Sequence, residues 1–250
     1  MSGINSLETL RRRAIHIKRE QGLKHHQALN VAAIERGYQN YAQAVRLFDG
    51  AAPKPILYPV TLNQFWSNRQ VGQRGVETLV VMLQQPLTEL IKQRHLVGYL
   101  GGTQISGDGN LALPHEIHMD DRAEYAMQRL HRAARALEFI EITGLYPSTA
   151  LRCYPKGEWE NRPPIADHDH CWYDPETRQY LLTTEPYPDR RKERLDGWRH
   201  EHGYDLSQVP WGSIYGYGTE LWFAAKTRAF DMERLSARLS AKPSSYSDDK

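Results

Sequence analysis

Five consecutive residues, Asp167-His168-Asp169-His170-Cys171, combine the side-chain types that most often bind metal ions. They precede a run typical of a β-strand, so we expect an extended backbone here. Successive side chains of an extended chain alternate between two faces, which would place His168 and His170 together. Two imidazoles at this spacing can share a divalent metal such as zinc, with Asp167 and Asp169 as nearby ligands or as acceptors for the second ring nitrogens.

A third ligand would have to come from elsewhere in the chain. The candidates are His115, Glu116, His118, Glu185, His200 and His202. No zinc, iron or nuclease motif accompanies the pair. The alternative is a polar strand entrance, in which these acids and imidazoles hydrogen-bond to loop amides and to one another.

The N-terminal segment could contact phosphate groups. Residues 1–48 contain eight Lys or Arg and three acids, whereas the rest of the chain is net acidic. Phosphate contacts by such residues give salt-dependent binding with little sequence preference. The alternative is a solvated basic helix face. The candidate residues are Arg11, Arg12, Arg13, Lys18, Arg19 and Lys24.

Residues 146–223 are rich in aromatic side chains with arginines between them. This combination can stack bases or line a ligand groove, so it predicts a partner-binding face. The alternative is that the large aromatics form the core. The predicted Arg/aromatic face comprises Arg190, Arg191, Arg194, Trp198, Arg199, Tyr204, Trp211, Tyr215, Tyr217 and Trp222.

The composition is that of an ordinary globular protein, with 40% hydrophobic residues among 250 and a net charge of +2. So small a charge does not by itself indicate nucleic acid as a partner of the whole chain. Cys153 and Cys171 cannot form a disulfide framework or a four-thiolate zinc site. No apolar run approaches the ~20 residues that span a bilayer. The start lacks the regions of a signal peptide. We therefore expect a cytoplasmic protein without a membrane partner.

Hydrophobic periodicity predicts three helices in the first fifty residues, over about 6–21, 25–36 and 40–48. Pro53 and Pro55 then prevent a continued helix. The predicted organisation is a helical module over 1–50, a linker over 51–55, an α+β domain over 56–240 and a flexible tail over 241–250.

After the linker the pattern favours strands over 58–62 and 77–83, the second of them central, and a hairpin over 170–184. A long helix over 120–143 places Ala126, Leu130, Ala133, Leu137 and Ile140 on one buried stripe, with Arg129, Arg132 and Arg135 on the solvated side. The fold class is therefore α+β: a small three-helix N-terminal module followed by a mixed or antiparallel sheet domain packed with helices.

Two stretches resemble bacterial sequences. Leu23-Lys24-His25-His26-Gln27-Ala28-Leu29, continued by Gly37-Tyr38-Gln39-Asn40-Tyr41, resembles a helical module of assorted plasmid-associated and glyoxalase-superfamily-labelled proteins. Residues from about 56 to 240 resemble a proteobacterial family of unknown function. The residues that carry this second resemblance are Tyr58-Pro59-Val60-Thr61-Leu62, Arg74-Gly75-Val76-Glu77-Thr78-Leu79, His168-Asp169-His170, Trp172-Tyr173-Asp174-Pro175 and Glu185-Pro186-Tyr187. The resemblance implies a bacterial intracellular protein and transfers no catalytic residue.

The leading hypothesis is an intracellular binding protein that contacts nucleic acid or a protein partner through the basic module and the Arg/aromatic face. The alternative is a metal-dependent enzyme, such as a hydrolase, centred on His168 and His170.

Overall fold

The computed structural model describes residues 7–48, 57–117, 122–188 and 195–246. The protein belongs to the α+β class, as the sequence predicts, with one mixed and one antiparallel sheet. Its contacts divide the chain into two compact units, residues 1–56 and 57–250. The predicted linker over 51–55 lies outside the described residues. Within the described ranges, no helix is long and apolar enough to cross a bilayer.

The N-terminal unit contains three helices, close to the predicted bounds: α1 (Leu7–Gln21), α2 (His25–Ile34) and α3 (Tyr41–Phe48). Gly37 ends α2 in the left-handed conformation, at φ +85°. Asn40 caps α3, because its side chain accepts the Gln43 N–H at 2.8 Å. The small core is mostly alanine, which lets the helices approach closely: Leu10, Ala14, Ile17, Ala28, Ala32, Ala33 and Ala44.

The second unit begins with a four-stranded sheet in the order β2-β1-β4-β3. Its strands are β1 (Tyr58–Asn68), β2 (Gln73–Leu83), β3 (Gln104–Ile105) and β4 (Leu111–Ile117). β1 pairs antiparallel with β2 and parallel with β4, so the sheet is mixed.

β2 lies at the edge of this sheet, so the prediction of a central strand over 77–83 is wrong. Its apolar run alternates in burial: Val81 and Leu83 are buried, whereas Val80 and Met82 are 48% and 46% exposed. A continuous apolar run therefore does not distinguish a strand that is buried on both faces from one that is buried on only one face.

The second sheet has five antiparallel strands in the order β5-β6-β7-β9-β8. Its strands are β5 (Tyr146–Ser148), β6 (His170–Tyr173), β7 (Tyr180–Thr184), β8 (Tyr204–Val209) and β9 (Leu221–Lys226). The predicted turn at 174–177 joins β6 to β7. The Asp174 carboxylate holds this turn by accepting the Glu176 N–H and the Thr177 hydroxyl.

The remaining helices are α4 (Leu87–Leu90), α5 (Arg122–Thr143), α6 (Leu195–His202) and α7 (Met232–Ser240). The predicted stripe of α5 is fully buried. α5 contacts β1 and β2 of the first sheet. Its Phe139 also packs against Trp172 and Phe223 of the second sheet, with ring centroids 4.4 and 6.1 Å away. One core therefore joins both sheets through α5.

The solvated side predicted for α5 is wrong at Arg135, which is only 3% exposed. Its guanidinium donates to the carbonyl oxygens of Ile214, Tyr215 and Tyr246. These carbonyls belong to two distant segments, around residues 214 and 246, that cover the outer side of the helix. The periodicity of α5 alone cannot show that such segments pack there.

Residues 242–246 make specific contacts with α5, with β2 and with the loop after β8. Trp211 donates its indole N–H to the Lys242 carbonyl at 3.0 Å. The Ser244 hydroxyl donates to Glu138 at 2.6 Å, and the Tyr246 hydroxyl donates to the Val80 carbonyl at 2.8 Å. Part of the expected tail thus makes specific contacts, and residues 247–250 lie outside the described ranges.

We expect Phe139→Ala to lower the free energy of unfolding by about 3–5 kcal/mol, because it leaves a cavity among three buried aromatic rings. Urea denaturation followed by tryptophan fluorescence measures this change. Leu151→Ala is the control, since Leu151 is 51% exposed. Equal losses from the two substitutions would contradict the assignment of Phe139 to the shared core.

Candidate functional site

The segment before β6 is not extended at His168, whose φ of +47° lies in the left-handed region. The two histidine rings consequently pack on different tyrosines. His168 stacks on Tyr215, with centroids 3.5 Å apart and an interplanar angle of 10°. His170 packs on Tyr99 at 3.8 Å. The extended geometry expected from the sequence is therefore wrong.

His170 occupies a closely fitted position beside Gly98. A Cβ atom at Gly98 would lie 2.9 Å from the His170 Nδ1, so a larger residue there would displace the ring. Burial, helped by the neighbouring His168, lowers the pKa of His170 to about 4. His170 is therefore neutral at physiological pH.

The two flanking acids lie in different surroundings. Asp167 Oδ1 is 3.7 Å from His168 Nε2. Asp169 accepts from the Tyr154 hydroxyl at 3.4 Å, and its buried Oδ1 has no hydrogen-bond partner among the described residues. Burial raises the pKa of Asp169.

Among the described residues, no three His, Cys, Asp or Glu side chains come together as metal ligands. The side chains of His115 and Glu116 are outside the described part, as is all of His118. His202 packs against Trp198, at 5.4 Å between centroids. Metal binding by His168, His170, Asp167 and Asp169 thus stays a prediction.

Glu185, one of the candidate third ligands, is the buried acceptor of a hydrogen-bond network. It is 0% exposed, and burial raises its pKa. Its carboxylate accepts the Tyr99 hydroxyl at 2.8 Å, the Tyr215 N–H at 2.9 Å and the Ser213 hydroxyl. These donors offset the cost of burying the carboxylate and fix the 213–215 loop against the end of β7.

The predicted Arg/aromatic face is divided between core and surface, because Arg199 and Tyr217 are exposed and Tyr215 and Trp222 are half-buried. Trp198, Tyr204 and Trp211 are buried, with exposures of 7%, 9% and 6%. Trp198 donates its indole N–H to the Asn161 carbonyl at 2.9 Å, so its polar atom is also used internally. Trp198 therefore offers little surface to a partner, and a partner contact at this residue stays a prediction. Arg190, Arg191 and Arg194 lie outside the described residues.

The six basic residues of the N-terminal unit are all exposed: Arg11, Arg12, Arg13, Lys18, Arg19 and Lys24. Two of them connect helices of the unit. Arg11 donates to the Tyr41 hydroxyl at 2.9 Å, and Arg13 forms a two-point ion pair with Glu35 at 2.8 and 3.1 Å. Phosphate contact by these residues stays a prediction.

A different aromatic surface, which the sequence analysis missed, crosses the five-stranded sheet. Tyr146 pairs with Tyr173, and Tyr173 pairs with Tyr180, so the three side chains share one face of three adjacent strands. The Tyr173 and Tyr180 rings are 5.1 Å apart, and all three tyrosines are half-buried. We call this set the tyrosine row. The sequence signal for it is the alternation of faces along the predicted strand, which places Tyr173 opposite to Trp172.

Basic groups border the tyrosine row. Lys92, Arg94 and Arg152 are exposed. The Arg152 guanidinium lies 6.0 Å from the Tyr180 ring centroid. The His95 ring packs on Tyr146 at 4.2 Å. A cavity of about 480 Å³ opens between these groups and the row. Its lining residues are Lys92, Arg94, His95, Val97, Tyr146, Pro147, Ser148, Thr149, Tyr173, Pro175 and Tyr180.

Comparisons of this chain with models of protein families, with curated proteins and with solved structures gave no match. The resemblances of this sequence to bacterial proteins therefore stay expectations.

We expect the stability of the protein to rise with pH between about 4 and 6.5, in part through His170. The unfolded chain binds the proton more readily across this interval, so folding is favoured once the ring is neutral in both states. Urea denaturation at several pH values measures the slope. His170→Gln should flatten it, whereas His200→Gln should not, because His200 is exposed.

An unchanged slope in His170→Gln would contradict burial as the cause. Metal analysis of the same samples tests the other hypothesis, since a stoichiometric metal present in the wild type and lost in His170→Gln would support a metal centre.

Proposed function

We propose that this protein binds single-stranded nucleic acid on the tyrosine row. The observation that carries the proposal is the register of β5, β6 and β7, which aligns Tyr146, Tyr173 and Tyr180 side by side on one face. Sheets that bind single strands present aromatic rings in this way, because every base has a flat face that can stack.

The accessible rings are those of Tyr173 and Tyr180, since His95 covers part of Tyr146. Stacking of one base on an exposed ring contributes about 1–3 kcal/mol. The cavity beside the row, about 480 Å³, falls within the range of small-ligand sites. A splayed base can enter it, whereas a base inside a duplex is already stacked on its neighbours.

Charge supports the same ligand. Lys92 and Arg94 line the cavity, and Arg152 borders the ring at the other end of the row. Cations on both sides of a stacking surface suit a backbone that carries a phosphate at every nucleotide.

In this proposal the exposed Lys and Arg side chains of the N-terminal unit contribute electrostatic attraction to the phosphates of the nucleic acid. The expected cytoplasmic location is also part of it. No observation on the described residues favours the metal-dependent hydrolase over binding.

We expect Tyr173→Ala to weaken binding of a fluorescein-labelled single-stranded oligonucleotide by about tenfold, because it removes one stacking ring. Fluorescence anisotropy at low salt measures the affinity. Tyr173→Phe should bind like the wild type, because the ring remains. Tyr58→Ala is the matched control, since Tyr58 is a 37% exposed tyrosine of the other sheet.

Duplex DNA of the same sequence should bind more weakly than the single strand. No binding of DNA or RNA single strands by the wild type at low salt would overturn the proposal, as would equal losses from Tyr173→Ala and Tyr58→Ala.

We also expect the double substitution Lys18→Ala and Arg19→Ala to reduce the salt dependence of binding, because fewer counterions are released. The measurement is the slope of log affinity against log salt concentration. These two residues are exposed and lie apart from the Arg13–Glu35 ion pair, so the fold of the unit should persist. An unchanged slope would restrict binding to the second unit.

A further inference from the structure

A second cluster of aromatic and charged groups surrounds Tyr215, apart from the tyrosine row. His168 stacks on the Tyr215 ring at 3.5 Å, and the Arg132 guanidinium carbon lies 4.0 Å from the centroid of the same ring. Two groups this close cannot occupy one face of a ring, so Tyr215 lies between His168 and Arg132.

Arg132 is held in one orientation. Its Nε donates to the Tyr215 carbonyl at 3.1 Å, and its guanidinium also lies 5.4 Å from the Tyr217 ring centroid. Its two terminal amino groups have no hydrogen-bond partner among the described residues. A half-buried guanidinium with unused donors is preorganised for an anion, because a carboxylate or phosphate can accept two parallel N–H bonds.

The backbone around this stack is strained at two positions. His168 and Tyr217 both have left-handed conformations, at φ +47° and +60°, although neither is glycine. Such conformations are unfavourable for residues other than glycine and persist where surrounding contacts enforce them, often at ligand sites. Here the Glu185 carboxylate holds the 213–215 loop in place, since it accepts the Tyr215 N–H and the Ser213 hydroxyl.

Two exposed rings complete the surface. Tyr187 is 37% exposed and stands edge-on to His168 at 6.1 Å, whereas Tyr217 is 42% exposed and lies 5.7 Å from Tyr215. Exposed rings beside an oriented guanidinium can take a flat ligand that carries the anionic group. Two carboxylates are nearby: Asp167 lies beside His168, and the Glu185 carboxylate is occupied by its own donors.

We propose that Arg132, Tyr187, Tyr215 and Tyr217 form a binding site for a small aromatic anion, a ring bearing a carboxylate or a phosphate. Arg132 binds the anionic group, and the exposed tyrosine rings contact the ring of the ligand. The site is independent of the nucleic-acid proposal, because it uses none of the residues of the tyrosine row.

Isothermal titration calorimetry with benzoate and with phenyl phosphate tests this site. We expect saturable binding of at least one of them, and the stronger of the two identifies the anionic group. Phenol and inorganic phosphate should each bind at least tenfold more weakly, because each lacks half of the recognised chemistry.

Arg132→Gln should weaken binding of the preferred probe by about tenfold or more. Arg129→Gln is the matched control on the same helix and should bind like the wild type. Tyr217→Ala, at an exposed ring, should weaken binding without lowering the melting temperature, which keeps the test valid if Arg132→Gln folds poorly. Tyr173→Ala should leave binding unchanged.

No saturable heat with either aromatic anion would overturn the proposal. Binding that survives both Arg132→Gln and Tyr217→Ala would overturn it as well, because the ligand would then lie elsewhere on the protein.

Discussion

The strand register of β6 and β7 decides which side chains face the core and which face outward in the five-stranded sheet. It turns Trp172 and Leu181 toward α5 and leaves Tyr173 and Tyr180 on the opposite face. A slip of one residue would exchange these two sets, exposing the core and burying the tyrosine row. The indole N–H of Trp172 donates to the Thr183 hydroxyl at 2.9 Å and helps to fix this register.

One strand, β7, therefore positions both proposed sites. Its first residue, Tyr180, belongs to the tyrosine row. The residue after its end, Glu185, holds the loop that carries Tyr215. A smaller core, which includes Cys171, Leu182 and Trp198, covers the middle of the tyrosine-bearing face. Tyr180 packs against this core at one edge, and its ring stays half-buried.

Sequence periodicity was sufficient to predict features that depend on a single helix or turn. The buried stripe of α5 and the turn after β6 follow from spacing and from Asp174, and both are present. Sequence periodicity failed where segments far apart in the chain determine whether a side chain is buried. Trp198 is buried in the smaller core and donates to the Asn161 carbonyl, and Arg135 is buried because it donates to carbonyls of residues 214 and 215. The left-handed His168 could not be foreseen, because the contact with Tyr215 joins residues far apart in the chain.

Photocrosslinking would show directly whether single strands bind on the tyrosine row. A bromouridine-labelled single-stranded oligonucleotide would be irradiated with the full-length wild-type protein, and the modified residues identified by peptide mass spectrometry. We expect crosslinks at Tyr173 or Tyr180, because bases stack on these rings. Crosslinks confined to residues 7–48, or as frequent at Tyr58 as at the tyrosine row, would contradict it.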